Sequence, residues 1–297
     1  NRAAKLLNLR TSTLCTKIGL QPLIDANPGA GEVFLIKNGA EPPVTDQFNI
    51  GLRQRLGDWR LSATLSHAES RNGFQWHIGN LGVDPLNPNS GTVRFGGPTP
   101  SSLGFPEFRN LIFISEHDQE REFDALYLTA DKAYTEESGW SLLVSYTLSH
   151  ATQNGSRDTN TAPFDFDYAR TDMTPTFDAA NDERHRLVTS GLVDLPWNTR
   201  LSGIYTYGSG TPFHIFGPNP PGWNEGRRDP FHQVDLRFSK YFDFEEEHRV
   251  ELFLDVINAT DRVNNPNIEQ CTCGPFGQPF NQIVQGRSFQ IGARARW

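Results

Sequence analysis

The segment GRSFQIGARARW, residues 286–297, decides how this chain is interpreted. Its apolar side chains occupy every second position from Phe289 to Trp297, and polar residues or glycine lie between them. Such alternation with period two predicts a strand with one apolar and one polar face. The terminal residues of soluble domains usually fray, and they seldom end on a packed tryptophan. A lipid-facing side, a wet side and an aromatic residue at the interface are typical of a strand in an outer-membrane β-barrel.

The composition is compatible with that prediction and excludes several other classes. The chain has 297 residues with 36% hydrophobic content, and we find no apolar run long enough for a membrane helix. A net charge of −8 argues against nucleic-acid binding. The start at Asn1 shows no signal peptide, so we expect either a mature terminus or a piece of a longer protein.

Alternating segments recur along the chain as hairpins with tight turns. In the first hairpin, Phe48, Ile50 and Leu52 alternate with polar residues, and Gly57-Asp58 turns the chain. With the last segment, this pattern predicts about nine strands, at 48–56, 59–67, 123–134, 140–149, 184–195, 199–208, 231–242, 249–259 and 286–297. Residues 32–37 and Leu111–Ile114 are expected to add short strands.

The predicted connections are alternately tight and long. The long ones cover roughly 68–122, 150–183, 209–230 and 260–285 and are rich in Gly, Pro, Asn and Asp. Loops of this length are uncommon in compact soluble domains. Short periplasmic turns and long extracellular loops are the rule in outer-membrane barrels. We therefore predict an all-β, antiparallel transmembrane barrel fragment over 45–297, preceded by a surface loop over 1–44.

Several segments resemble one family in order along the chain. They are TDQFNIGLRQRLGDWRLSATLSHA, the hairpin NDERHRLVTSGLVDLPWNTRLSGIYTYGSGTPF, DPFHQVDLRFSKYFDF, HRVELFLDVINATDRVNNPN and the terminal GRSFQIGARARW. From about residue 44 to its end, the chain is similar to the C-terminal barrel of TonB-dependent outer-membrane receptors, in particular the Oar-like branch.

The resemblance implies a 22-stranded barrel that is closed by a plug domain. It also implies a bacterial outer-membrane location, the lipid of that membrane and the barrel assembly machinery as partners, and energy from the TonB complex through an N-terminal region that this sequence lacks. Phe289, Ile291 and Trp297 would then form the C-terminal assembly signal. This portion would supply barrel wall and surface loops, would need no cofactor and would catalyse no reaction.

Loop aromatic residues are the ligand-contact candidates. Such rings can stack on a ligand such as a sugar, but they can equally pack loop against loop or form the interfacial girdle. The candidates are Phe213, Phe216, Trp223 and Phe231. Charged residues on the polar face are expected to form cross-strand pairs inside the wall, with Arg53, Arg237, Arg294 and Arg296 opposed by Asp235, Glu251 and Asp255.

Other chemistry has weaker support. Asp165, Asp167 and Asp172 could approach a Ca²⁺ ion, but their loop lacks the glycine and distal glutamate of an EF-hand, so a solvated acidic loop is favoured and no metal is predicted. His185 and Arg186 follow Asp182 and Glu183, where rim charges explain them better than catalysis. Cys15, Cys271 and Cys273 are too few for a disulfide framework, and their pairing stays open.

The function predicted from these observations is active uptake of an unidentified extracellular ligand across the outer membrane. A passive porin or surface adhesin barrel would have the same strand pattern without a plug. A soluble secreted β-sandwich or propeller enzyme is the alternative from a different class.

Overall fold

The computed structural model describes residues 32–36, 38–78, 82–83, 93–94, 111–155, 164–165, 175–215, 222–244, 248–264 and 286–297. In these ranges the regular structure consists of strands. They are β1 (Glu32–Leu35), β2 (Val44–Leu56), β3 (Trp59–Ile78), β4 (Gly82–Val83), β5 (Val93–Arg94), β6 (Leu111–Lys132), β7 (Trp140–Gln153), β8 (Phe164–Asp165), β9 (Phe177–Asp178), β10 (His185–Leu195), β11 (Thr199–Gly208), β12 (Pro212–Ile215), β13 (Gly222–Arg227), β14 (Phe231–Phe244), β15 (His248–Ile257) and β16 (Ser288–Arg296).

Nine long strands form one continuous sheet. Their order is β16-β15-β14-β11-β10-β7-β6-β3-β2, so each strand lies beside the long strand that precedes or follows it in sequence. Within the described residues β2 and β16 are the two ends of this order and do not pair with each other. The predicted all-β fragment with nine strands is confirmed, and in the described part of the chain no helix is long and apolar enough to cross a bilayer.

The register assigns each paired side chain of the long strands β7, β10, β11, β14, β15 and β16 to one of two faces. Leu201 lies opposite Phe238, which lies opposite Leu254, and Leu254 lies opposite Ile291. These residues belong to the apolar face, and the residues between them belong to the polar face. Large side chains on the apolar face are exposed, including Phe238 and Ile291. Ser239 on the polar face is buried, so the pattern is the reverse of that in a soluble sheet.

The apolar face has the height expected for a membrane strand. His232 and Phe242 lie on this face of β14, ten residues apart. At about 3.3 Å per residue and a tilt near 40°, this stretch covers about 25 Å, the height of the apolar band of an outer-membrane barrel. The rings of Trp59 and Trp140, near the tight turns, meet edge to face with centroids 6.1 Å apart.

The chain divides into two compact units. The first comprises 1–47, 68–122 and 151–180, and the second comprises 48–67, 123–150 and 181–297. In the first unit, β1 pairs in parallel with the start of β6, and Phe34 packs edge to face on Trp76. Polar side chains are buried there, and Gln75 is hydrogen-bonded to His77. The second unit contains the candidate functional site.

Some predicted boundaries were wrong. Leu111–Ile114 is not a separate strand, because it is the first part of β6, and β3 continues to Ile78 instead of ending at residue 67. Strand pairing continues in the first unit, where β1 and β8 pair with these extensions. The predicted long connection at 209–230 also contains a hairpin of β12 and β13. Residues 1–31 of the predicted lead-in lie outside the described residues.

Candidate ligand cleft at the long-loop end

A cleft of about 430 Å³ lies where β10 and β14 begin and β11 ends. We call the end of the sheet that carries the long connections the loop end, the opposite end the turn end, and this cavity the loop-end cleft. Arg186, Thr206 and Phe231 reach the cleft from the polar face of their strands. The full lining is Glu183, Arg186, Thr206, Gly208, Ser209, Gly210, Thr211, Arg228, Asp229, Phe231 and Asn264.

Two glycines make the cleft possible. A Cβ atom on Gly208 would lie 1.9 Å from Oε1 of Glu183, and one on Gly210 would lie 1.5 Å from the carbonyl oxygen of Arg228. Both distances are far below any real contact. A side chain at Gly208 would displace the carboxylate of Glu183, whereas one at Gly210 would displace the backbone at Arg228. The Gly208-Ser-Gly210 sequence therefore acts by close approach of the backbone.

A buried carboxylate holds the wall of the cleft. The side chain of Asp182 has no exposed surface, and it accepts hydrogen bonds from Nε of Arg184 at 2.7 Å and from the guanidinium of Arg227 at 2.5 Å. Arg227 also donates to the carbonyl oxygens of Asp182 and Gly210. Because a buried charge needs paired, hydrogen-bonded partners, this group joins the segment before β10 to β13.

Arg228 borders the cleft from the other side. It donates from one terminal nitrogen to Oγ1 of Thr211 at 2.9 Å and to the carbonyl oxygen of Pro212 at 2.8 Å. Its guanidinium lies 6.0 Å from the ring of Phe213, and burial lowers its pKa. Among the described residues, the buried Nε of Arg228 has no hydrogen-bond partner.

A short turn after β15 closes the third side. Asn258, at a φ of +52°, accepts from the backbone N–H of Arg262 and donates to the carbonyl oxygen of the same residue. Its own backbone N–H donates to Asp235 on β14. Asn264 then bonds both backbone groups of His232 through its amide. Asparagine tolerates the left-handed conformation and supplies these local bonds, so the turn fixes where β14 enters the cleft.

The predicted ligand-contact residues occupy different environments. Phe231 lines the cleft, whereas Phe213 is 8% exposed and packs beneath Arg228 and against Gly226. Trp223 lies in β13, and its side chain is outside the described part. Other predicted residues lie beyond the described ranges or have only their backbone described, namely Phe216, Asp165, Asp167, Asp172, Cys15, Cys271 and Cys273.

Some of the predicted cross-strand charge pairs are present on the polar face. Arg237 donates to both carboxylate oxygens of Asp255, at 2.5 and 2.8 Å, and Arg294 lies 3.7 Å from Glu251. Asp235 instead accepts from Gln233 and from the backbone of Asn258. The register places Arg296 opposite Arg249, which is bound to Asp243. A single rule of opposite charges therefore explains only some of these positions.

Two residues of the predicted assembly signal lie on one face of β16, and the third, Trp297, directly follows the strand. Phe289 and Ile291 lie opposite Val256 and Leu254 of β15, and both are exposed, as is Trp297. The apolar sides of β15 and β16 form one surface, and Trp297 lies at the turn end.

Sequence reasoning missed the residues that shape the cleft. The sequence patterns above single out neither Arg227 nor Arg228, and they include Asp182 only as a neighbour of His185. The pair of arginines after a glycine-rich stretch is the available signal, but the contact of Arg227 with Asp182 spans 45 residues of sequence.

Solved structures with similar folds come from outer-membrane transporters and receptors. The outer membrane transporter YddB from Escherichia coli is 12% identical with a TM-score of 0.58, and the alignment covers 90% of this chain and 34% of that protein. The ferric-catecholate import receptor Fiu from E. coli K12 is 11% identical with a TM-score of 0.52, over 88% and 29% of the two chains. The FrpB iron transporter from Neisseria meningitidis is 12% identical with a TM-score of 0.50, over 90% and 32%.

This chain therefore spans about a third of the length of these proteins, and the likeness concerns the fold. It confirms, at that level, the expected resemblance to the barrel of such receptors. No curated protein matches the chain by sequence. The family model described as "Outer membrane beta barrel domain" matches residues 10–229, more than half of the chain. The chain thus belongs to the outer membrane β-barrel domain family and is a protein of the bacterial outer membrane.

Proposed function

We propose that this chain forms the C-terminal wall and surface loops of a TonB-dependent transporter that takes up an extracellular ligand. The observation that carries the proposal is the loop-end cleft on the polar face of a membrane sheet. The polar face of a barrel is the side that a transported molecule passes. The partial length relative to YddB and Fiu supports a larger protein in which a plug and further strands complete the barrel.

The lining of the cleft suits a ligand with many hydrogen-bonding groups. Glu183 and Asp229 balance the charges of Arg186 and Arg228, and Phe231 adds one half-exposed ring. A balanced set of donors and acceptors around an aromatic surface fits a polar ligand with little net charge at this subsite. We infer that the cleft contributes one part of ligand capture, with the rest supplied by other loops and the plug apex.

The conductance of the full-length protein in a planar bilayer separates a plugged transporter from a porin. We expect almost no steady conductance in KCl, because the plug fills the lumen, and we expect large conductance after deletion of the plug. A steady open channel in the intact protein would favour the passive porin. Capture of the full-length protein by the purified C-terminal domain of TonB separates a transporter from an adhesin barrel, which has no site for TonB.

The proposal also fixes an orientation. In a background in which Cys15, Cys271 and Cys273 are replaced by serine, we expect Ser209→Cys at the loop end to react with a membrane-impermeant maleimide on whole cells. Asp243→Cys at the turn end should react only after the outer membrane is opened. The opposite result would place the cleft on the periplasmic side and contradict ligand capture from outside.

A further inference from the structure

Two histidines lie on the apolar face at the loop end, among three tyrosines. His232 lies opposite Tyr207, Tyr207 opposite Leu187, and Leu187 opposite Tyr146, so these side chains form one row across four strands. His185 and Tyr205 lie on the same face, two residues from Leu187 and Tyr207 along their strands. We call these five residues the Tyr–His patch, which consists of Tyr146, His185, Tyr205, Tyr207 and His232.

Each histidine is held by a tyrosine through the same ring nitrogen. The hydroxyl of Tyr146 lies 2.8 Å from Nδ1 of His185, and the two rings are stacked with centroids 6.2 Å apart. The hydroxyl of Tyr205 lies 3.1 Å from Nδ1 of His232, whose ring also packs 4.9 Å from that of Tyr207. The patch therefore fixes both imidazoles in the same way on neighbouring parts of the sheet.

Each hydrogen bond occupies Nδ1 of its histidine, so Nε2 is the ring nitrogen left for a partner outside the patch. A tyrosine hydroxyl can donate to Nδ1 or accept from it, and the arrangement in which the tyrosine donates leaves an N–H group on Nε2. The contact proposed below requires that arrangement in both rings. From the strand spacing and the two-residue offset, the backbones of His185 and His232 are about 12 Å apart. The patch contains no carboxylate that would repel an anion.

The position of the Tyr–His patch indicates that its partner is a lipid and not a soluble ligand. It lies on the face whose exposed side chains are mainly apolar, so a soluble ligand in the lumen does not reach it. It also lies at the end of the apolar band, where lipid headgroups begin. Phosphate oxygens accept hydrogen bonds from imidazole N–H groups, and these bonds are strengthened by the charge of the phosphate.

We propose that His185 and His232 bind phosphate groups of a phosphorylated glycolipid in the outer leaflet. This site is independent of the transported ligand, because it lies on the opposite face of the sheet from the loop-end cleft. The tyrosines position the imidazoles, and the imidazoles make the contact with the lipid. The patch would thus fix the height of the barrel in the leaflet by specific bonds in addition to its aromatic rings.

The test uses the purified, delipidated full-length protein in detergent and native mass spectrometry. The probes are lipid A with both phosphates and chemically dephosphorylated lipid A. We expect the wild-type protein to prefer the phosphorylated probe. His185→Phe with His232→Phe should weaken its binding about tenfold, because each lost bond is to a charged acceptor. Equal binding of the two probes by the wild-type protein, or unchanged binding by the double variant, would overturn the proposal.

A histidine elsewhere on the apolar face of the sheet serves as a matched control. His248 belongs to the apolar face at the turn end, where β15 begins. His248→Phe should leave lipid A binding unchanged, and an equal loss there would show that any surface histidine produces the effect. If the double variant fails to fold, as judged by heat-modifiable migration, Tyr146→Phe with Tyr205→Phe replaces it. That pair removes only the positioning hydroxyls, and unchanged affinity of it would also contradict the proposal.

Discussion

At the turn end of the sheet the charged side chains are partly exposed, whereas at the loop end a carboxylate without exposed surface holds two arginines. Asp243 and Arg249 at the turn end keep 44% and 58% of their side-chain surface, although their nitrogen and oxygen atoms are 2.5 Å apart. Asp182 at the loop end is fully buried. Exposed pairs contribute about 0–1 kcal/mol, but the loss of one partner from a buried pair is much more damaging.

The comparison shows that local backbone conformation shapes the turn end, whereas contacts between distant parts of the sequence shape the loop end. The turn end is built from local conformations, such as Gly57 at a φ of +58° and Asn198 at +52°. The loop end joins segments that are far apart in sequence. Its geometry depends on the buried Asp182 and its two arginines, and the loss of one partner leaves the remaining groups with fewer hydrogen bonds. We therefore expect substitutions at the loop end to affect folding stability, and those at the turn end to affect mainly assembly or pH response.

The largest expected effect concerns assembly, at the turn end. Replacing Trp297 by Asp puts a charge at the end of β16 and removes the terminal aromatic residue of the predicted assembly signal. We expect nearly complete loss of the full-length protein from outer-membrane fractions, measured by immunoblotting. Gln290→Ala, on the polar face of the same strand, is the control and should leave the level unchanged. Normal levels of Trp297→Asp would refute the assigned signal.

The next effect should distinguish the buried carboxylate from the exposed one. Asp182→Asn removes the charge between Arg184 and Arg227, and we expect it to lower the free energy of unfolding by about 3 kcal/mol. Asp243→Asn should cost about 0.5 kcal/mol or less, because its pair with Arg249 is exposed. Urea unfolding of the full-length protein in detergent measures both. Equal effects would remove the distinction between the two ends.

A smaller effect is expected from the glycines of the cleft. Gly210→Ala places a Cβ atom against the carbonyl of Arg228, so we expect a loss of about 2 kcal/mol from overpacking. Gly286→Ala is the control, since the nearest atom to its Cβ would be Oδ1 of Asp261 at 3.5 Å, an ordinary contact. The same unfolding measurement applies, and a neutral Gly210→Ala would show that the hairpin moves away freely.

The smallest effect is a pH response at the turn end. The hydroxyl of Tyr134 donates to Asp194 at 2.6 Å, which raises the pKa of Tyr134 above its usual value. The folded state therefore holds this proton more tightly than the unfolded state. The hydrogen bond therefore contributes its full stabilisation below the pKa of tyrosine in the unfolded chain, near 10. That contribution is lost as the pH rises through the higher pKa of Tyr134 in the folded protein. Tyr134→Phe should flatten the decline in stability above about pH 10, and an identical alkaline profile would contradict the assignment.

The sequence was sufficient for those parts of the fold that depend on period-two alternation. The alternating parts of all nine long strands could be predicted, because in these parts each strand face meets one kind of environment. The extensions of β3 and β6 were missed, since their partners in the first unit come from separate parts of the chain.

The candidate sites show the same limit more clearly. Phe231 could be singled out as an aromatic residue in a loop, but nothing local distinguishes it from Phe213, which is buried under Arg228. The terminal segment GRSFQIGARARW by itself determined a two-faced membrane strand, because alternation is a property of neighbouring residues. Only the tertiary structure decided that Asp182 meets Arg227 and that His185 meets Tyr146. The contact of His185 with Tyr146 depends on the register between β7 and β10. The contact of Asp182 with Arg227 depends on the position of the β12–β13 hairpin beside the segment that precedes β10, because 45 residues of sequence separate the two side chains.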